Sequence, residues 1–245
     1  MKSNYRDFFA LQLTFADKVA HILDCTFEEA ILTHTNFHKA FNFGRAGTNP
    51  AAWKTYTNGL TTAASPLDWT CAFYAKLPDW EETERPFGCF DYEYKDEEEI
   101  IRIHFYSTPA FHVDGTPLSP LSQERQEART AELRTMFQHI STAHPDAKFV
   151  TGHSWVYSLP SYCRLFPEQY IQSLTTATPT FDGTRRWGQF LRHTGAVKEN
   201  LAADFLVKVA EAKTMEDIAA AFPYQELQAI CPIRHFYTHF GISSE

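Results

Sequence analysis

Cys89-Phe90-Asp91-Tyr92-Glu93-Tyr94, then Lys95-Asp96-Glu97-Glu98-Glu99, then Ile101-Arg102-Ile103-His104-Phe105-Tyr106: across this stretch the apolar residues recur at every second position. Alternation of that kind places one side of an extended chain in a core and the other in water, so each run reads as a strand. The link Lys95 to Glu99 is too acidic to be buried and tips a hairpin. Upstream the period differs. Phe8, Leu11, Phe15, Val19 and Ile22 recur at helical spacing. Thr26 with Glu29 forms a capping box, and Asn49-Pro50 and Ser65-Pro66 each put a cap residue before a proline suited to the first helical position. Residues 6 to 77 therefore read as four helices. The charged, proline-bearing stretch Leu77 to Pro86 marks a boundary. The expectation is an α+β protein with a helical subdomain over 1–80 and a mixed sheet flanked by helices over 81–245.

Downstream of the hairpin, Ser107 to Leu118 reads as a loop. Ser119-Pro120 opens a long helix to about His144, with a buried stripe of Leu133, Met136, Phe137 and Ile140. Asp146 to Trp155 is a strand and Ser161 to Phe166 a short helix. Trp187 to His193 and Leu201 to Glu211 are helices, and Thr214 with Asp217 caps another. Leu227 to Ile233 is a strand, and Arg234 to Phe240 is a helix stopped by Gly241.

The chain has 245 residues, 44% of them hydrophobic and 15% aromatic, enough for a sizeable core. A net charge of −8 argues against nucleic acid as the main partner, and the pair Arg185-Arg186 reads as a solvated turn. The five cysteines lack metal-ligand spacing and read as reduced thiols of a cytoplasmic protein. No signal peptide and no apolar run of membrane-spanning length is visible, so no membrane partner is expected. The oligomeric state is not written in the chain.

Several residues suggest chemistry. Gly152-His153-Ser154-Trp155 lies where a strand ends and a helix begins, and such strand ends hold ligands in α/β sheets. Ser154 is not set up as a hydrolase nucleophile, because Val156 stands where the G-x-S-x-G elbow needs its last glycine. Arg102, His104 and Tyr106 share one strand face, which makes His104 a candidate general base. His235 and His239 are four apart on a helix, as are His34 and His38 by the same reading, but neither pair encloses the glutamate of a zinc peptidase and no third ligand is near. No metal is predicted. Trp155, Tyr157, Trp187 and Phe190 would line an aromatic pocket.

The order Ile103-His104, Gly115-Thr116-Pro117-Leu118-Ser119-Pro120, a helix bearing Phe137, then His153-Ser154-Trp155 and Pro160 resembles the C-terminal domain of GNAT-related bacterial acyltransferase-domain proteins. The match covers about residues 100–166. The resemblance implies an acyl-CoA co-substrate wedged between two splayed strands, with direct attack by a small-molecule amine or hydroxyl on the thioester. It implies a tyrosine after the family's fifth strand, by position Tyr162, that protonates the leaving thiolate. His104, Tyr162 and His153 are then the candidate catalytic residues, and Arg102, Ser154, Trp155 and Trp187 the candidate substrate-binding ones. The family's glycine-rich pyrophosphate loop is missing, and Pro117 and Pro120 lack the N–H groups that phosphates would use. Two other functions stand beside this one: a non-catalytic small-molecule or protein-binding module on the same scaffold, and a metalloenzyme built on His235 and His239. The acyltransferase reading requires that the hairpin and the strand leading into Trp155 share one sheet, and that this sheet opens.

Overall fold

The computed structural model describes residues 5–41, 43, 49–78, 85–107, 111–113, 116–178, 181 and 184–243. The chain forms two units, one of Met1–Glu81 with Pro179–Gln225 and one of Glu82–Thr178 with Glu226–Glu245. It begins in the helical unit with α1 (Arg6–Leu23), α2 (Phe27–His34), α3 (Phe37–Ala40), α4 (Pro50–Thr62) and α5 (Pro66–Lys76). It then builds most of the sheet unit: β1 (Phe90–Lys95), β2 (Ile100–Phe105), β3 (Phe111–Val113), β4 (Thr116–Leu118), α6 (Gln126–Ala143), β5 (Phe149–Ser154), α7 (Pro160–Cys163), α8 (Glu168–Gln172) and β6 (Thr175–Thr176). It returns to the helical unit for α9 (Thr184–Trp187), α10 (Glu199–Glu211) and α11 (Met215–Ala221), and ends in the sheet unit with β7 (Leu227–Pro232) and α12 (Arg234–Phe240). The class is α+β.

Local chemistry sets the helix ends. Thr26 and Glu29 close a reciprocal capping box on α2, and Thr214 and Asp217 do the same on α11. Asn49 and Ser65 cap α4 and α5, each with proline in the first turn. Gly241 ends α12 in the left-handed conformation that glycine adopts without steric penalty. Replacing Thr26 by alanine removes the acceptor for the Glu29 N–H. We expect a loss of about 1 kcal/mol, read as a lower urea midpoint at unchanged m-value.

The helical unit packs a single aromatic core. Phe15 of α1 lies 4.9 Å from the Trp187 ring and 5.9 Å from Phe205, and Phe205 lies 4.7 Å from Phe222. This explains a difference from the sequence reading, which ran the second domain unbroken from 81 to 245. Pro179–Gln225 clusters with the N-terminal helices instead, because Trp187, Phe190, Phe205, Val209 and Phe222 bury the inner face of α1. Arg186 is likewise not in a solvated turn. It is buried, with its guanidinium 4.9 Å from the Phe181 ring and 4.8 Å from Phe222. His34 and His38 do not share a helix: α2 ends at His34, and Asn36 is drawn out of the helical path by Gln12, whose Oε1 accepts its N–H at 2.9 Å.

In the sheet unit the strand order is β1-β2-β5-β7-β6. β1 pairs antiparallel with β2, and β5 with β7, each over six residues; β6 pairs antiparallel with β7. β2 and β5 are parallel and are joined through α6. The helix lays Leu133, Met136, Phe137 and Ile140 into a core shared with Ile101, Ile103, Val150, Ala229 and Cys231. Phe236 and Phe240 of α12 stack on Phe137 at 4.7 and 5.5 Å.

Two boundaries differ from expectation. Residues 107–118, read as loop, carry the antiparallel pair β3–β4 as a separate two-stranded sheet. The long helix begins at Gln126 and not at Ser119-Pro120. Arg164 donates to the carbonyls of Leu121 and Ser122 and to Gln123 Oε1, which holds this segment in a turn before the helix starts.

Candidate functional site in the parted strands

Parallel pairing between β2 and β5 covers only Ile100↔Phe149, Ile101↔Val150 and Arg102↔Thr151. β2 continues to Phe105 and β5 to Ser154, so the last three residues of each strand have left this ladder. Beyond those positions the two strands no longer pair with each other, which leaves an opening in the sheet's ladder at the C-terminal ends of the strands. Because side chains alternate along a strand, Arg102, His104, Thr151, His153 and Gln228 share one face. His104 and His153 each stand two residues beyond the last paired position of their strand, one on either lip of the opening.

The two imidazoles are held differently. His104 Nε2 lies 3.8 Å from Glu93 Oε2, an oxygen that also lies 3.6 Å from Arg102 Nη1. Glu93 is half exposed, and a solvated, shared pair of this kind contributes about 0–1 kcal/mol. His153 Nε2 lies 2.8 Å from Glu226 Oε2, whose side chain is fully buried, while the imidazole keeps 22% of its surface. A buried carboxylate beside an imidazole is costly to leave alone: stripping one partner from a buried ion pair costs about 3–5 kcal/mol. The backbone fixes Glu226 as well, since its carbonyl accepts the Ala177 N–H at 2.9 Å. Glu226 was not found from sequence. It directly precedes β7 on the same face as Gln228, and only the β5–β7 register brings it diagonally beside His153.

On the opposite face lies a cluster of phenols. Tyr157 Oη and Tyr170 Oη are 2.7 Å apart and buried. Tyr162 is 2% exposed, 5.1 Å from the Tyr157 ring and 5.2 Å from Phe105 at the end of β2. Burial pushes the phenols of Tyr157, Tyr162 and Tyr170 well above the usual range, so all three stay protonated at neutral pH. Tyr162 is thus enclosed beside the strand end.

The other predicted site residues are dispersed. Ser154 caps the 3-10 turn Trp155–Ser158, accepting the Val156 N–H. Trp155 is half-buried against the sheet unit's core. Trp187, expected to bind substrate, belongs to the helical unit's core with no surface exposed, because Phe15, Phe205 and Phe222 enclose it, and Phe190 joins it there; Tyr157 is buried in the sheet unit's own core. His235 and His239 do share α12, and burial pushes the His239 imidazole down. Among the described residues no three His, Cys, Asp or Glu side chains converge as metal ligands.

The site therefore combines an imidazole beside a buried carboxylate, a second imidazole across the opening, strand ends that no longer pair with each other and, on the opposite face, a buried phenol. No protein-family model, curated protein or solved structure matches the chain.

Proposed function

We propose that the protein is an acyltransferase that moves an acyl group from a CoA thioester to the amine or hydroxyl of a small molecule. The observation that carries this reading is the parting of β2 and β5 after Arg102 and Thr151, with His104 and His153 on the two lips. An extended arm bearing amides can hydrogen-bond to strand edges that have left their ladder, and the pantetheine arm of CoA is such a chain. An imidazole at the lip accepts the nucleophile's proton, and Tyr162 is the phenol next to the strand ends. The five thiols are unbridged, which fits a reducing cytoplasm. Among the described residues no helix is long and apolar enough to cross a membrane.

Acetyl-CoA at about 100 times its Kd adds roughly 2.7 kcal/mol to stability by mass action, a shift of several degrees in Tm. In the same samples, His104 and His153 become protected from carbethoxylation by diethyl pyrocarbonate, mapped by mass spectrometry, while the exposed His21 reacts as before. Absence of a thermal shift at millimolar acetyl-CoA, CoA and longer acyl-CoA, with both lip histidines unprotected, rejects the reading.

A second reading, a binding module without catalysis, draws on the segment before α6. Glu124 has its carboxyl held below the usual range by its own backbone N–H and by Ser122, and Glu127 lies in the first helical turn. Acids there oppose a diphosphate, and Pro117 and Pro120 supply no N–H. Binding of a thioester without release of its thiol to any acceptor would select this module.

A further inference from the structure

Building on the acyl-transfer reading, we propose that His153 is the base that takes the acceptor's proton and that Glu226 is the residue that positions it. Two histidines border the opening, and the structure separates them. His104 shares a half-exposed carboxylate with Arg102 at 3.6–3.8 Å. His153 meets a carboxylate that is out of water, at 2.8 Å, on a residue whose own backbone is tied to Ala177. The strand beneath it is tied too, with Thr151 Oγ1 donating to the Ala229 carbonyl at 2.9 Å. A buried anion beside an imidazole fixes the ring's orientation. It also balances the positive charge that arises when the ring takes a proton. The 22% of its surface that the His153 side chain keeps gives the acceptor access.

The step is balanced without any redox partner. The acceptor's nitrogen or oxygen forms a bond to the thioester carbonyl carbon, and its proton passes to the His153 imidazole. The carbon–sulfur bond then breaks, with its electron pair leaving on sulfur. The thiolate regains one proton, equal to the one His153 holds and returns. Glu226 takes up and gives up no proton in the step.

The test uses the full chain with acetyl-CoA and a panel of small primary amines and alcohols, read as release of the CoA thiol. Glu226→Gln keeps the shape and removes the charge. The expected result is a fall in kcat of about 10²-fold with the KM for acetyl-CoA unchanged, and partial recovery in Glu226→Asp. His153→Ala is expected to fall at least as far and to regain activity with added imidazole. The double variant His153→Ala/Glu226→Gln should be no slower than His153→Ala alone, because the two residues act as one unit. Imidazole rescue and non-additivity are effects that a merely structural Glu226 would not produce, and Tm values of each variant separate misfolding from lost chemistry. If the wild type transfers acetyl groups and Glu226→Gln keeps its kcat, or changes only KM, the positioning role is wrong while acyl transfer stands. If the wild type releases no thiol with any acceptor, the acyl-transfer reading itself falls and takes this assignment with it.

Discussion

Replacing Arg129 by methionine is expected to lower stability by about 3 kcal/mol, roughly 10 °C in Tm, and to do so more at pH 7.5 than at pH 5. Arg129 is 1% exposed inside the sheet unit. Its Nη2 meets Glu132 Oε1 at 2.5 Å and its Nη1 donates to Cys89 Sγ at 2.5 Å. The other Glu132 oxygen accepts the Cys89 N–H at 3.1 Å. One carboxylate thereby joins α6 to the residue that leads into β1. Methionine fills part of the space and removes the cation that hydrogen-bonds Glu132, leaving it only the weaker attraction of Arg125. Burial already pushes the Glu132 carboxyl up, against the lowering effects of the Cys89 N–H and Arg129. Without Arg129 it rises further. A carboxyl with a raised folded pKa binds its proton more tightly when folded, so its stability contribution is present below the unfolded pKa and is lost as pH rises through the folded value. Denaturant titrations at the two pH values measure this. The double variant Arg129→Met/Glu132→Gln should recover most of the loss, because an uncharged amide oxygen still accepts the Cys89 N–H and no lone charge remains. Equal losses at both pH values, or no recovery in the double variant, would show that the cluster is not held by charge.

Much of the fold was legible because its signals are local. The caps at Thr26, Asn49, Ser65 and Thr214 are formed within four residues of sequence, and so is the stop at Gly241. The hairpin of β1 and β2 could be read because Asp96, Glu97 and Glu98 can sit only at its tip. In the structure these three form a 3-10 turn, and Glu99 closes it with φ 52°. The return of Pro179–Gln225 to the helical unit could not be read. Trp187 and Phe190 are as well suited to a sheet's cover as to a helical core, and nothing near them in sequence names Phe15 as their neighbour. The late start of α6 was hidden for a similar reason. Ser119-Pro120 is a sound helix opening by composition, but Ser119 accepts the N–H groups of Leu121 and Ser122 in a turn, and Arg164, from beyond β5, ties the carbonyls of that turn.

The candidate site divides in the same way. The alternation in β2 identified His104 as a residue on the polar face, and Gly152-His153 marked the end of a strand. Strand parity then puts both imidazoles on one side of the sheet. That β2 and β5 part beside them is a tertiary fact, set by where each strand finds a partner. β5 continues to pair with β7 up to Ser154↔Leu227 after it has left β2. Glu226 had no local signature, since a single acid before an apolar run is ordinary.

Gly152→Ala is expected to cost about 2–3 kcal/mol and to disorder the floor of the opening. Gly152 is buried in β5, just past the last residue paired with β2. A Cβ at this position would lie 1.9 Å from Tyr157 Oη and 2.5 Å from Tyr170 Oη. The two phenols meet each other at 2.7 Å in the space that the missing side chain leaves. A methyl group must push them apart. The cost combines overpacking, about 1–3 kcal/mol, with loss of a buried hydrogen bond, about 1 kcal/mol. The lower chain entropy of unfolded alanine offsets about 0.4–1 kcal/mol of that. Tyr157→Phe removes the atom struck first, so Gly152→Ala/Tyr157→Phe should recover part of the stability, although Tyr170 Oη still crowds the new methyl. The same substitution reaches the chemistry, because the Tyr157 and Tyr162 rings lie 5.1 Å apart and Tyr162 abuts Phe105 at the end of β2. Denaturant midpoints of the two single variants and the double measure the packing. A Gly152→Ala protein as stable as the wild type would mean that the phenol pair does not occupy the space beneath β5, and Tyr162 would lose its support as the proton donor at the strand ends.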